Sequence, residues 1–169
     1  MTGKIDIKSL NEIELQNLME GLGEKKFRTG QVFSWLKRGI TSFDEMSNVS
    51  KELRGQLSQL CYLANAQIEK KMVSLDGTVK YLFRLYDGQH IESVVLKYKH
   101  GNSICISTQA GCNMGCRFCA STVGGKVRDL TASEMLAQIH SATKDLGGRI
   151  SNVVMMGIGE PLDNYDNVT

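Results

Sequence analysis

A chain of 169 residues suffices for one ordinary domain or two small ones; 41% apolar residues can fill a core, and 22% charged residues is ordinary for a soluble protein. No apolar run approaches the roughly 20 residues that span a bilayer, and the polar start MTGKIDIKSLNEIE lacks the apolar stretch of a secretory signal, so membrane and export classes are set aside in favour of the cytoplasm. The net charge of +2 is too mild to diagnose nucleic-acid binding.

The first zone, up to about Asn65, reads as short helices. In ELQNLMEGL, Leu15, Leu18, Met19 and Leu22 follow the i, i+3, i+4, i+7 spacing of one helical face. Asn11 and Glu14 have the spacing of a capping box, and Gly21 and Gly23 end the helix. Thr29 is expected to cap a second helix carrying Val32, Phe33 and Leu36 and stopped by Gly39. Ser42 with Glu45 suggests another capping box, and Leu53, Leu57 and Leu60 make an apolar stripe after Ser50. Lys25, Lys26, Arg28, Lys37 and Arg38 form a local basic concentration, for which a solvated helix face is the plainer reading.

The second zone, about Ile68 to Tyr98, changes period. Val79, Tyr81, Phe83 and Leu85 alternate with Lys80 and Arg84, the pattern of a half-buried strand. Asp76-Gly77 and Asp87-Gly88 on either side are strong turn signals, so the zone predicts a three-stranded antiparallel meander.

The third zone opens with SICIST, a short strand, followed by a cysteine loop. TASEMLAQIHSATKDLGG then has a capping box at Thr131 and Glu134, places Met135, Ile139, Ala142 and Leu146 on one face, and stops at Gly147-Gly148. The uninterrupted apolar run NVVMM, residues 152–156, predicts a strand buried on both faces, as in parallel sheets. Strand, loop, helix and strand make a βαβ unit. One such unit cannot cover both faces of a parallel sheet, which suggests that the chain stops inside a larger α/β domain; a meander supplying the missing neighbours is the alternative. The division expected is a helical domain over residues 1–65 and an α/β part over 66–169.

The chemistry concentrates in GCNMGCRFCAS. Of five cysteines, Cys112, Cys116 and Cys119 crowd into this one loop, which favours metal binding or catalysis over a disulfide framework. Zinc would want a fourth ligand, and His90, His100 and His140 have no finger-like spacing to the triplet. A bacterial ferredoxin run of C-x2-C-x2-C-x3-C is absent. Three thiolates on a four-iron cluster leave one iron open to a cosubstrate, whereas three buried cysteines acting as small hydrophobes would not suit a loop with Gly111, Asn113, Gly115 and Arg117.

C-x3-C-x2-C with Phe118 before the last cysteine resembles the radical S-adenosylmethionine superfamily. STQAGCNMGCRFCASTVGG, HIESVVLKY, VMMGIGEPLDNYDN, FRTGQVFSWL and ITSFDEMSNVS together resemble the RlmN/Cfr family across essentially the whole chain. The resemblance implies an N-terminal accessory domain that docks RNA, then a β extension and the first βαβ unit of a partial (β/α) barrel, truncated here. It implies methylation of C2 of adenine in 23S rRNA and tRNA through a methyl-cysteine intermediate; a C8-directed relative stays open. Cys112, Cys116 and Cys119 would hold a [4Fe-4S] cluster whose open iron binds S-adenosylmethionine, which one electron splits to methionine and a 5′-deoxyadenosyl radical. Gly159 and Glu160 would hold the cosubstrate's amino group.

Glu92 and Cys105 compete for the role of proton acceptor. On its predicted strand Glu92 shares a face with Val94, Leu96 and Tyr98, where apolar neighbours would disfavour its charged form; the plainer reading is an edge glutamate facing water. Cys105, seven residues before the cluster motif, reads by itself as a small buried strand residue. Cys61 has no role implied and reads as core. The methyl-accepting cysteine of the family has no candidate in this sequence, so the isolated chain is expected to be inactive. An external electron donor such as flavodoxin and a full-length monomer complete the implied picture. The competing readings are an RNA-binding module with structural cysteines and an iron–sulfur electron-transfer fragment without methyltransferase activity.

Overall fold

Three short helices and a minimal parallel strand pair build the first part of the chain. In the computed structural model, which describes residues 3–169, β1 (Ile5–Asp6) runs parallel to β2 (Cys61–Tyr62), so both ends of this unit meet. Between them lie α1 (Glu12–Gly21), α2 (Lys26–Lys37) and α3 (Lys51–Leu60). The Asn11 side chain accepts the amides of Ile13 and Glu14, and the Glu14 carboxylate accepts the Asn11 amide at 2.8 Å, closing the expected box. Ser42 and Glu45 form the second box, on a single 3-10 turn. Leu15, Met19, Val32, Met46, Leu53 and Leu57 are fully or almost fully buried in one cluster.

Two expectations fail here. α2 starts at Lys26, four residues ahead of the predicted position, with no side-chain cap; Thr29 lies inside the helix, buried, with its hydroxyl unpartnered. Leu60 at the end of α3 is exposed, because the stripe leaves the core in the last turn.

This first compact unit ends at Ala64, and the second begins at Asn65. The second is built on a five-stranded sheet. The meander β3 (Gln67–Val73), β4 (Val79–Arg84) and β5 (His90–Tyr98) is antiparallel, with Gly77 and Gly88 at positive φ in the turns where a β-carbon would strain the backbone. β6 (Gly101–Cys105) pairs antiparallel with β5, and α4 (Ala132–Leu146) crosses over to β9 (Ile150–Val154), parallel to β6. The sheet order is β3-β4-β5-β6-β9. The meander therefore does supply a neighbour for the parallel pair, on the β6 side.

One sheet face packs on α4: Tyr81, Phe83, Ile91, Val95 and Ile104 cluster with Met135 and Ala142. Buried Gln138 of α4 accepts the Ser93 hydroxyl at 2.7 Å and exchanges two bonds with the Ser107 backbone, so the polar groups at this seam are paired. Thr131 and Glu134 cap α4 as expected, and Gly147 ends it in the left-handed region.

The predicted burial of residues 152–156 on both faces is overturned. β9 ends at Val154, is hydrogen-bonded to β6 along one edge, and exposes Val153 and Val154 as well as Met156 beyond it. An apolar run records a tendency to bury, but burial needs an element packed on it, and among the described residues β6 is its one strand partner. Among the described residues no helix is long and apolar enough to cross a membrane.

Candidate active site

The carboxyl ends of β6 and β9 gather the candidate residues of the second unit. Past β6 the chain enters a two-residue ladder, β7 (Gln109–Ala110) against β8 (Arg128–Asp129), which closes the cysteine loop at its base. Gly111 sits at φ +77, and a β-carbon there would lie 1.9 Å from the Gly125 carbonyl oxygen; only glycine permits the two strands of the loop to cross this closely. The Asn113 side chain accepts the Lys126 amide at 2.8 Å across the same loop.

All five cysteines are free. Cys112 is buried, Cys119 is half-buried and Cys116 is exposed. The Cys119 amide donates to the Cys116 carbonyl oxygen at 3.0 Å, setting the last two cysteines on one turn. Among the described residues no group of three or more His, Cys, Asp or Glu side chains converges tightly enough to hold a metal ion, so the three thiols share a loop without forming a cage. As a donor set they suit a soft metal centre: three unpaired thiols in one loop with glycines at positive φ. His90 pairs with Glu69 and His100 stacks on Tyr98, so neither joins them.

Beyond β9 the stretch 157–160 folds back on the segment between β6 and β7. The Ile158 carbonyl accepts the Thr108 amide at 2.9 Å, and the Gly157 amide donates to the Ile106 carbonyl at 2.9 Å. A β-carbon on Gly157 would lie 2.7 Å from the Ile106 backbone, and one on Gly159 (φ +104) 2.6 Å from the Gln109 side chain. The close approach that these glycines permit is to the chain itself, the Ile106 backbone and Gln109. Glu160 caps the following 3-10 turn, Pro161–Asn164, by accepting the Leu162 amide at 3.1 Å.

Glu92 and Cys105 meet on one sheet face. Val94 registers opposite Cys105, and Cys105 opposite Val154, so Glu92, Val94, Cys105 and Val154 lie on the side away from the α4 core. Ser107 donates its hydroxyl to the Glu92 carbonyl at 2.6 Å and accepts the Ile158 amide at 2.9 Å, tying the backbone of Glu92 to the 157–160 loop. The apolar seclusion expected for Glu92 is not found. Its carboxylate lies 2.9 Å from Lys80 Nζ and its side chain is 41% exposed, because Lys80 on β4 shares this face. The setting is an ion pair at a half-open surface, and Cys105 on the same face is partly exposed. Cys61 is core, and burial pushes its thiol up to about 11.

Several side chains at this end escaped the sequence reading. Buried Gln109 donates to Asp129 and Asp163 and accepts the Glu160 amide; Lys126 bridges the same two carboxylates; Asn164 donates to the Thr108 and Leu130 carbonyls. Hydrogen bonding from Lys126, then from Gln109, holds the Asp163 carboxyl below the usual range. Their one local signal was position, each lying within a few residues of a glycine in the motifs.

In the first unit, α2 and the residue that caps its end carry three of the basic residues over aromatic rings. Arg28 lies 5.0 Å from the Phe27 ring centroid, Lys37 4.4 Å from Phe33 and Arg38 4.7 Å from Trp35, and Phe27 is exposed.

Comparison with known proteins gives a consistent result. Residues 5–63 match the family model of the ribosomal RNA large subunit methyltransferase N-terminal domain, and residues 106–169 match the radical SAM superfamily. A probable dual-specificity RNA methyltransferase RlmN of Lachnospira eligens is 58% identical over 165 residues, covering 96% of this chain and 47% of that protein. A protein so described in Desulforamulus reducens is 48% identical, over 98% of this chain and 48% of its own. The crystal structure of a radical SAM methyltransferase from Sphaerobacter thermophilus superposes with a TM-score of 0.87 at 36% identity, over 96% of this chain and 49% of that one. The α/β fold, with N-terminal helices, antiparallel sheet and radical-SAM-like topology, is thus matched. The chain spans about half the length of the relatives it matches.

Proposed function

Because the chain belongs to the RlmN family of radical S-adenosylmethionine methyltransferases, we propose that it forms part of a cytoplasmic enzyme that methylates C2 of adenine in 23S rRNA and tRNA. The observation that carries the proposal is the meeting of the cysteine loop, the Glu160 loop, Glu92 and Cys105 at the carboxyl ends of β6 and β9, where α/β sheets bind ligands.

Cys112, Cys116 and Cys119 would hold a [4Fe-4S] cluster, leaving one iron for S-adenosylmethionine. When bound, that group supplies one electron for reductive cleavage of the cosubstrate, received from an external donor such as flavodoxin. Glu160 places a carboxylate for the cosubstrate's ammonium group, a charge-assisted hydrogen bond, and Gly159 fixes the approach of its loop. Glu92 and Cys105 stand on the open face as the two groups able to take the adenine ring proton. Lys80, which registers opposite Val94 on the same face, holds the Glu92 carboxylate by an ion pair until substrate displaces it. Residues 1–65 form the RNA-docking domain, with Arg28, Lys37 and Arg38 for phosphates and Phe27 for a base; residues 66–169 begin the catalytic core. The full-length enzyme acts as a monomer.

Anaerobic reconstitution with iron and sulfide tests this. About four irons per chain are expected, and the full-length protein converts adenosine in rRNA and tRNA to 2-methyladenosine, read by mass spectrometry of nucleosides. Protein that takes up only zinc, or that yields no methylated adenosine with a full cluster and electron donor, defeats the assignment.

A further inference from the structure

We propose that Lys126, Gln109 and Asp163 form a clasp that positions the Glu160 carboxylate relative to the cysteine loop, which makes Lys126 and Asp163 positioning residues for cosubstrate binding. This rests on Glu160 receiving the cosubstrate's ammonium group.

Four hydrogen bonds close a ring. Gln109 Nε2 donates to Asp129 Oδ1 and to Asp163 Oδ2, each at 2.8 Å. Lys126 Nζ reaches the same two oxygens at 3.3 Å and 2.8 Å. Two carboxylates are thereby drawn onto one pair of donors, and the ammonium of Lys126 offsets their mutual repulsion.

Each member of the ring is bound to a different part of the site. Lys126 follows Gly124 and Gly125, and its amide is held by Asn113, the residue after Cys112. Asp163 lies on the one 3-10 turn that Glu160 caps, and its amide donates to the Glu160 carbonyl at 3.1 Å. Gln109, with no exposed surface, accepts the Glu160 amide at 3.0 Å through its remaining oxygen. A shift of Lys126 therefore moves Asp163, and Asp163 cannot move without Glu160. The backbone of the cysteine loop and that of the Glu160 loop are joined through two side chains.

The clasp is poorly placed to serve stability alone. The Lys126 and Asp163 side chains are 22% and 37% exposed and lie outside the apolar cluster. Exposed ion pairs contribute little to folding, whereas a misplacement of about 1 Å at a reacting group can cost on the order of a hundredfold in rate.

The test uses the full-length protein reconstituted with iron and sulfide. S-adenosylmethionine affinity is measured by equilibrium dialysis, and the spectrum of the reduced cluster is recorded with and without it. Lys126→Met and Asp163→Asn should each weaken binding by about tenfold or more, while iron content and unfolding midpoint stay at the wild-type values. The double variant should lose no more than the worse single one, as expected for groups acting through one contact, and Lys126→Arg should recover part of the loss. Wild-type affinity in both single variants, additive losses, or loss of iron in step with affinity would overturn the clasp. Failure of the underlying reading shows separately: wild-type protein would bind no cosubstrate, or Glu160→Gln would bind it undiminished.

Discussion

Gly111 shows how much can rest on one missing β-carbon. At φ +77 an L-residue is strained by about 1–2 kcal/mol, and its β-carbon would strike the Gly125 carbonyl at 1.9 Å, a backbone atom with nowhere to turn. Gly111→Ala is therefore expected to lower the stability of the second unit by more than that strain alone, as a fall in its urea midpoint. Cys61 gives a residue-scale effect of pH. Burial, ahead of the opposing effect of Lys4, raises its thiol from 9.0 to about 11. A raised folded value means that its stability contribution is complete below about 9 and is lost as pH climbs through 11. The first unit should lose on the order of 2 kcal/mol over that window, and Cys61→Val should flatten that part of a stability-versus-pH curve. At this scale the sequence was legible where the partner is near: Asn11 with Glu14, Ser42 with Glu45 and Thr131 with Glu134 are three apart, so the cap follows from spacing. It was illegible for Glu92, whose partner Lys80 lies on another strand.

The N-terminus of α4 is fastened at element scale by more than its cap. Thr131 accepts the Glu134 amide, and the buried Glu134 carboxylate takes two bonds from Arg128, at 2.7 and 2.8 Å, while Arg128 also reaches Asp87 in the β4–β5 turn. Glu134, then Asp87, hold the guanidinium firmly in its charged form. Thr131→Ala removes one cap bond and should cost about 1 kcal/mol. Arg128→Met strands a buried carboxylate and should cost more, about 3–5 kcal/mol. Chemical denaturation of the two variants checks the order; equal losses would mean that Glu134 finds compensation elsewhere. Element existence was read well for α1, α4 and the meander, where period and turn residues agree. The β7–β8 ladder was missed because two-residue strands have no period to detect.

Among the described residues two apolar clusters share no member, one on each side of the Ala64–Asn65 junction. Each has its own buried aliphatic or aromatic anchors, so each is expected to unfold as a unit of its own. Calorimetry should resolve two components, and Leu57→Ala should shift only one of them, by about 2–5 kcal/mol. A single two-state transition that moves as one in that variant would refute the division.

Short-range chemistry was fixed in the sequence itself. Periodicity set the helices and the meander, spacing set the caps and the cysteine loop, and the motifs carried the family. These depend on residues within a few positions of one another, whose geometry the backbone dictates locally. The tertiary structure alone decided which side chains meet across 37 to 54 residues at Lys126, Gln109 and Asp163, which face Glu92 shares with Cys105, and that the apolar run of β9 lies exposed. Those outcomes depend on register and on what packs against each strand, and no local pattern encodes either.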